Sequence, residues 1–444
     1  MFKRKIYNKL LYWKNTYNGS YACLIEGARR VGKSTVAETF ASNEYKSYIK
    51  IDFSEVTEEI LDVFKDVANH DLFFARLQLE TGIDLYERQS CIIFDEVQLF
   101  PRARQAIKHL VADGRYDYIE TGSLISIKKN VKDILIPSEE HKIQMYPMDY
   151  EEFCWAVGEN YNLLKPLLEK DVSMGEKTNR TLMRKYRLYL AVGGMPQAVE
   201  AYVQGKNFTL IDSIKREIID LYKDDLMKID PSGYTSALFE SVPSQLALKK
   251  KRFVISQATG KRTTEKDRER LCDLLNSKIV IPCYHVAKPA VSLSQTKELD
   301  HLKLYLADVG LFSTMLFNSA DKTNEDIYKK LLSDKLSLDA GYLYENAIAQ
   351  TINSCDRPLF YHTWRKPEST HSYEIDFLLN DGNKVSPIEV KSSSVKMHKS
   401  LDAFAEKYSS IVGKQYIFSS KDSGKEGAIF LKPMYMAGLM IEQM

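Results

Sequence analysis

Cysteine is scarce and unpatterned in this chain of 444 residues. Its six copies (Cys23, Cys91, Cys154, Cys272, Cys283, Cys355) contain no C-x-x-C pair. That argues against a zinc site or a disulfide framework and predicts a reducing, cytoplasmic setting. Long apolar runs are absent too; none approaches the ~18 residues of a membrane span. The basic start MFKRKIYNKLLYWKN leads into no apolar core of signal-peptide type. Repeats and low-complexity tracts are missing. Charge of one sign is missing as well: 62 Lys and Arg stand against 60 Asp and Glu. Net charge therefore names no partner, and local clusters must do so. A hydrophobic fraction of 44% fits domains with full cores, about two to four of them at this length.

What is present begins at GARRVGKS, Gly27 to Ser34, followed by Thr35. It fits G-x-x-x-x-G-K-S/T, the phosphate-binding loop of nucleoside triphosphatases. A strand, YACLIE, precedes it, and a helical pattern, STVAETFA, follows. In that setting loop amides and the helix N-terminus converge on phosphate oxygens. Gly27 and Gly32 allow the tight turn. Lys33 would reach the β- and γ-phosphates of ATP, and the Ser34 hydroxyl would ligate Mg²⁺. The segment CIIFDEVQ (Cys91 to Gln98) runs four strand-forming residues into Asp95 and Glu96. An acid at the C-terminal end of a buried parallel strand faces the ligand edge of the sheet. Asp95 would hold Mg²⁺ through water, and Glu96 would polarise the attacking water.

Residues 1 to about 18 read as a basic amphipathic helix with Ile6, Leu10, Leu11 and Trp13 in its stripe, packed on the edge of this domain. Further strands are expected at SYIKIDF, YDYIET and HKIQMYPM, alternating with helices. That alternation predicts a parallel sheet flanked by helices. YDYIET ends in a Thr-Gly-Ser turn, where Thr121 or Ser123 could sense the γ-phosphate.

Taken in order, these motifs resemble the AAA-type ATPases of bacteria and archaea that carry a C-terminal domain of unknown function. The resemblance rests on GARRVGKST, CIIFDEVQ, the TGS turn, YPMDYEEF, YLAVGGMPQAV, KLYLADVGLF, GYLYENAIAQ, YEIDFLL and IEVKSSS. It covers nearly the whole chain. It implies an ATP- and Mg²⁺-binding ATPase of the AAA/STAND type, with Arg30 and Thr35 among the loop residues that hold nucleotide. It also implies that Pro196 of GGMP packs on adenine; the plainer reading is a helix break. Arg102 and Arg104 are the candidate trans-acting arginines.

The expected division is an ATPase core at 1–150, a helical lid at 151–230, a winged-helix module at 231–300 and an α/β domain at 301–444. In the third part, between Gln245 and Arg270, nine Lys and Arg stand against three Asp and Glu: Lys249, Lys250, Lys251, Arg252, Lys261, Arg262, Lys266, Arg268 and Arg270 against Glu265, Asp267 and Glu269. The excess makes DNA or RNA a candidate partner, with a protein surface as the alternative.

In the last part Asp376 ends the apolar run YEIDF, and Glu389 and Lys391 follow in PIEVK. Residues i and i+2 of a strand share a face, so both carboxylates and the ammonium could meet around Mg²⁺. Glu345, on the helical pattern GYLYENAIAQTI, could add a carboxylate. This resembles the restriction-endonuclease-like PD-(D/E)XK fold, with Ile375 where many nucleases have proline. An active nuclease, a nuclease fold used only for binding or oligomerisation, and a chance match remain open. The function expected is ATP binding and hydrolysis that controls this C-terminal domain. The alternative is a slow nucleotide-gated switch acting on a protein or nucleic-acid partner, or through a homo-oligomer.

Overall fold

The computed structural model describes residues 1–122, 137–169, 172–317, 325–333, 341–392 and 398–444. Ser123 lies outside them. The chain divides into two compact units, Met1–Tyr146 with Asn276–Lys278, and Pro147–Leu275 with Ile279–Met444. Residues 151–230, 231–300 and 301–444, set apart by sequence, thus fall almost wholly in the second unit.

The first unit is built on strands β1 (Ala22–Glu26), β2 (Ser47–Asp52), β3 (Ser90–Asp95), β4 (Asp117–Gly122) and β5 (Glu140–Gln144). All pairings are parallel, in the order β2-β3-β4-β1-β5. Every residue of β3 and β4 is buried, as expected of strands covered on both faces. Phe53, Phe64, Phe73, Phe74 and Phe94 fill a core on β2 and β3. The last strand ends at Gln144, four residues before the run HKIQMYPM does.

Helix α1 (Ile6–Tyr17) buries Ile6, Leu10 and Trp13, which recur on one helical face. The Trp13 indole donates to the Tyr21 carbonyl at 3.0 Å. Arg4, just before α1, donates to the carbonyls of Val31 at 2.9 Å and Tyr146 at 2.6 Å. The basic start therefore braces the phosphate loop from behind.

The second unit carries an eight-stranded mixed sheet in the order β12-β13-β11-β10-β9-β8-β6-β7. Its strands are β6 (Val280–Val286), β7 (Lys297–Leu306), β8 (Leu359–Arg365), β9 (Ser372–Asp381), β10 (Lys384–Val390), β11 (Gln415–Ser419), β12 (Gly424–Glu426) and β13 (Ile429–Pro433). The hairpin β6–β7, where the winged-helix reading puts its wing, is antiparallel and joins the large sheet through parallel pairing of β6 with β8. Backbone pairing there satisfies an edge that a free wing would leave open.

The helix Gly341–Ser354 buries most of its length. Its Asn346 side chain accepts from Leu306 N at 2.8 Å and donates to Leu306 O at 3.1 Å, which locks it to the end of β7. In the Gly-Gly pair of GGMP, a Cβ on Gly193 would lie 2.7 Å from the Gly310 Cα, and one on Gly194 would lie 2.0 Å from the Met148 carbonyl oxygen. Backbone contact, rather than helix breaking alone, is why two glycines stand there. Pro196 opens the next helix, Pro196–Val203, where its fixed φ and missing N–H suit the first turn.

Candidate functional site

In the first unit, β1 runs into the loop and helix α2 (Lys33–Glu44) leaves it. Gly32 stands at φ 95° and Arg30 at 67°, the left-handed geometry by which a tight loop turns. Gly27 passes so close to β5 that a Cβ would meet the Met145 carbonyl at 2.3 Å. Lys33 folds back to donate to the carbonyls of Gly27 at 3.2 Å and Ala28 at 3.0 Å. Burial lowers its pKa to about 8, against the pull of Glu96 and Asp95. A desolvated ammonium held only by carbonyls is ready for phosphate charge.

Asp95, at the end of β3, is the hub. Its Oδ1 accepts from the Ser34 hydroxyl at 2.7 Å and from the Thr121 hydroxyl. Its Oδ2 lies 3.5 Å from the Lys50 ammonium. The parallel register sets Asp52 beside Asp95 on the neighbouring strand, two residues beyond Lys50. Nothing local in the sequence pointed to Lys50, because only strand order brings β2 alongside. Glu96 follows at φ 53°, a left-handed conformation that costs a non-glycine residue roughly 1–2 kcal/mol. Such strain gathers at functional positions. Its carboxylate accepts from the Gln98 amide. Its backbone N–H donates to Thr121 Oγ1 at 3.4 Å.

The expected residues Gly27, Gly32, Lys33, Ser34, Asp95, Glu96 and Thr121 thus share one edge of the sheet. Thr35 and Arg30 are exposed. Arg104 corrects the sequence reading. It is 2% exposed and binds Glu140 through two hydrogen bonds of 2.7 Å, so it holds β5 rather than reaching another molecule. Arg102 is exposed.

The donors themselves decide which metal the site would fit. The Ser34 hydroxyl and Asp95 carboxylate face each other, the hard oxygen pair suited to Mg²⁺. Lys33 lies within the same loop.

The second unit gathers another set of charges. A cavity of about 410 Å³ is lined by Lys303, Glu345, Glu374, Asp376 and Lys391, with Lys249 and Lys250. Asp376 lies within β9, not at its end, and accepts from Val390 N at 2.8 Å. Burial, reinforced by Glu345, pushes its carboxyl well above the usual range. Glu389 does not line the cavity. It pairs with Lys391 at 2.7 Å, and burial raises its pKa despite that lysine. The ammonium between the acids is Lys303, 3.0 Å from Glu345 and 2.6 Å from Glu374. Those acids outweigh burial and hold it protonated. A lysine inside the apolar run HLKLYLA was the available signal. Arg270 leaves the expected basic surface, because it is buried between Asp230 and Asp267.

Among the described residues, the one group of three donors within 4.8 Å is His285, Glu298 and His301. Their rings stack 4.3 Å apart at 21°. One ion cannot lie in the planes of two rings stacked this way, as imidazole ligation requires. Both Nδ1 atoms instead meet one Glu298 oxygen, at 2.8 and 3.1 Å.

The parallel sheet, the loop and the Asp95 hub define a P-loop domain of the ATPase class, a nucleotide-binding module. Residues 19–154 match the AAA domain model. Residues 183–322 and 340–430 match two domains of unknown function, DUF8612 and DUF4143. No curated protein matches the chain. Among solved structures, the Walker-type ATPase of Pyrococcus abyssi is similar over 71% of this chain and 96% of its own, at 15% identity and TM-score 0.43. CDC6P from Pyrobaculum aerophilum is similar over 74% and 93%, at 12% and 0.21. A signal-transduction ATPase with a tetratricopeptide-repeat sensor from Pyrococcus horikoshii is similar over 80% of this chain and 49% of its own, at 12% and 0.28. At such scores these likenesses carry no functional argument. No described helix is long and apolar enough to cross a membrane.

Proposed function

We propose that the chain binds ATP with Mg²⁺ at the phosphate loop and hydrolyses it to ADP. The observation that carries this is the meeting of Ser34 and Thr121 on one oxygen of Asp95, with Lys33 and Glu96 alongside. Loop amides and Lys33 hold the phosphates, and Glu96 orients and deprotonates the attacking water. Bound Mg²⁺, held by Ser34 and Asp95, would neutralise charge developing on the phosphates. Thr121 touches both Asp95 and the Glu96 backbone, so it is placed to report the γ-phosphate. Ser123 stays as a proposed γ-phosphate contact from its place in the sequence just after β4, and Pro196 as a proposed nucleotide contact on the resemblance alone.

The test is a titration of ATP into wild type and Lys33→Ala at pH 7 and pH 9. Loss of a charged partner costs roughly 1.5–3 kcal/mol, so Lys33→Ala should weaken binding about tenfold or more. The pH sign follows from the lysine. Below about 8 it already carries the proton that phosphate favours. Above that the free protein must take a proton up, so affinity falls as pH rises, by up to about tenfold per unit. Lys33→Ala should lose that slope. Equal affinity in the two proteins would sink the assignment.

A second reading concerns the cavity in the second unit. Glu345, Asp376 and Lys391 line it, beside a β8–β9–β10–β11 arrangement of two antiparallel steps and one parallel step. That supports a nuclease-like, PD-(D/E)XK-type site under ATP control, with Lys249 and Lys250 at hand for a phosphate backbone. Pairing of Lys391 with Glu389, an acid that does not itself line the cavity, favours the alternative, a fold that binds without cutting. Cleavage of labelled DNA and RNA with Mg²⁺ or Mn²⁺ decides. Cutting that Asp376→Asn abolishes supports the nuclease; no cutting on any substrate leaves the nucleotide-gated switch. The winged-helix role of residues 231–300 belongs to this second reading.

A further inference from the structure

A second cavity in the second unit shares no lining residue with either site above. It measures about 910 Å³, within the range of small-molecule pockets. Its walls are the helices Glu176–Val192 and Glu325–Leu332 and the turn after β11. Five cations line it, Arg180, Arg184, Arg187, Lys329 and Lys421, against two acids, Glu176 and Asp422. The chain as a whole is nearly balanced at +2, so this excess is local.

Both acids are engaged within the wall. Glu176 takes Arg180 at 2.6 Å. Asp422 accepts from the Ser173 hydroxyl at 2.7 Å and from Met174 N at 3.1 Å. Arg180, Arg184 and Arg187 recur at i, i+4 and i+7, one helical face about 10 Å long. Arg187 is only 5% exposed, and its Nε donates to the Tyr344 hydroxyl at 3.3 Å. A largely desolvated guanidinium in a row of three suits planar, multidentate phosphate recognition. The row is too long for one phosphate. Among the described residues no aromatic side chain lines the cavity, so the phosphates, rather than a base, are the features these side chains suit.

We propose that this cavity binds a small polyphosphorylated molecule, read through its phosphates. A nucleoside polyphosphate and an inorganic polyphosphate share that chemistry.

The test is calorimetric titration of tripolyphosphate, in chelator at low salt, into full-length Lys33→Ala protein, whose phosphate loop is weakened by loss of its lysine. One site is expected. Adding the exposed changes Arg184→Glu and Lys421→Glu should weaken it at least about tenfold without moving the unfolding midpoint. If that variant does not fold, Arg184→Gln alone serves, with a smaller loss expected. An ATP arm separates the sources: ATP equal to tripolyphosphate indicates phosphates alone, and tighter ATP indicates that the nucleoside is read as well. Absence of binding to Lys33→Ala protein, or binding unaffected by the cavity changes, would overturn the proposal.

Discussion

Glu96→Gln protein should bind ATP as wild type does, within about threefold, while its turnover falls roughly 10²- to 10⁴-fold, the usual worth of a positioned general base. The amide keeps the size of the carboxylate and can still accept from Gln98. What it loses is basicity toward water. Glu96 stands immediately beyond β3 in a left-handed conformation that an ordinary strand end would not adopt. The check is phosphate release under saturating ATP, paired with a binding titration on the same preparation. Unchanged turnover would remove Glu96 from the reaction. Turnover and affinity lost together would mean that the side chain holds the loop rather than the water.

The second large effect is structural. Arg104→Met should cost about 3–5 kcal/mol of stability, because it strands a buried charge. Glu140, whose side chain is 1% exposed, would lose both hydrogen bonds. Beside it, burial already pushes the Glu120 carboxyl far above the usual range, with Glu140 adding to the shift. Two carboxyls would then share a site without a cation. Arg104→Met combined with Glu140→Gln should recover most of the loss, since no ion is left unpaired. Calorimetric unfolding of the four proteins in this double-mutant cycle checks it. A loss under about 1 kcal/mol for the single change would show that water reaches Glu140 after all.

The two effects separate what the sequence could and could not tell. The phosphate loop was legible because its chemistry is contiguous: the glycines, lysine and serine lie within eight residues, between a strand and a helix. Asp95 and Glu96 were legible as acids ending a wholly apolar run. Lys50 was not, since it meets Asp95 only through the pairing of β2 with β3. Arg104 read as a candidate trans-acting arginine; its partner lies thirty-six residues away on β5.

In the second unit the three expected groups Glu345, Asp376 and Lys391 do line one cavity. Period-two reasoning put Glu389 and Lys391 together, and they do pair at 2.7 Å; it could not foresee that Glu389 would stay off the cavity lining. Nor could it place Lys303, which arrives from β7, at the far edge of the sheet order. The glycines of GGMP read as a helix break, whereas the chain needs them to bring Gly193 against Gly310 and Gly194 against Met148. The contacts missed at Lys50, Arg104, Lys303 and GGMP join residues distant in the chain, where local propensity and spacing carry no information.

The most direct measurement is phosphate release from ATP by the full wild-type chain, with Mg²⁺ and with a chelator in its place. The account predicts release with Mg²⁺ that stops in the chelator, because Ser34 and Asp95 would then lack the ion they are arranged to hold. Release that continues unchanged without Mg²⁺, or none in its presence while ATP binds tightly, would contradict hydrolysis at this site.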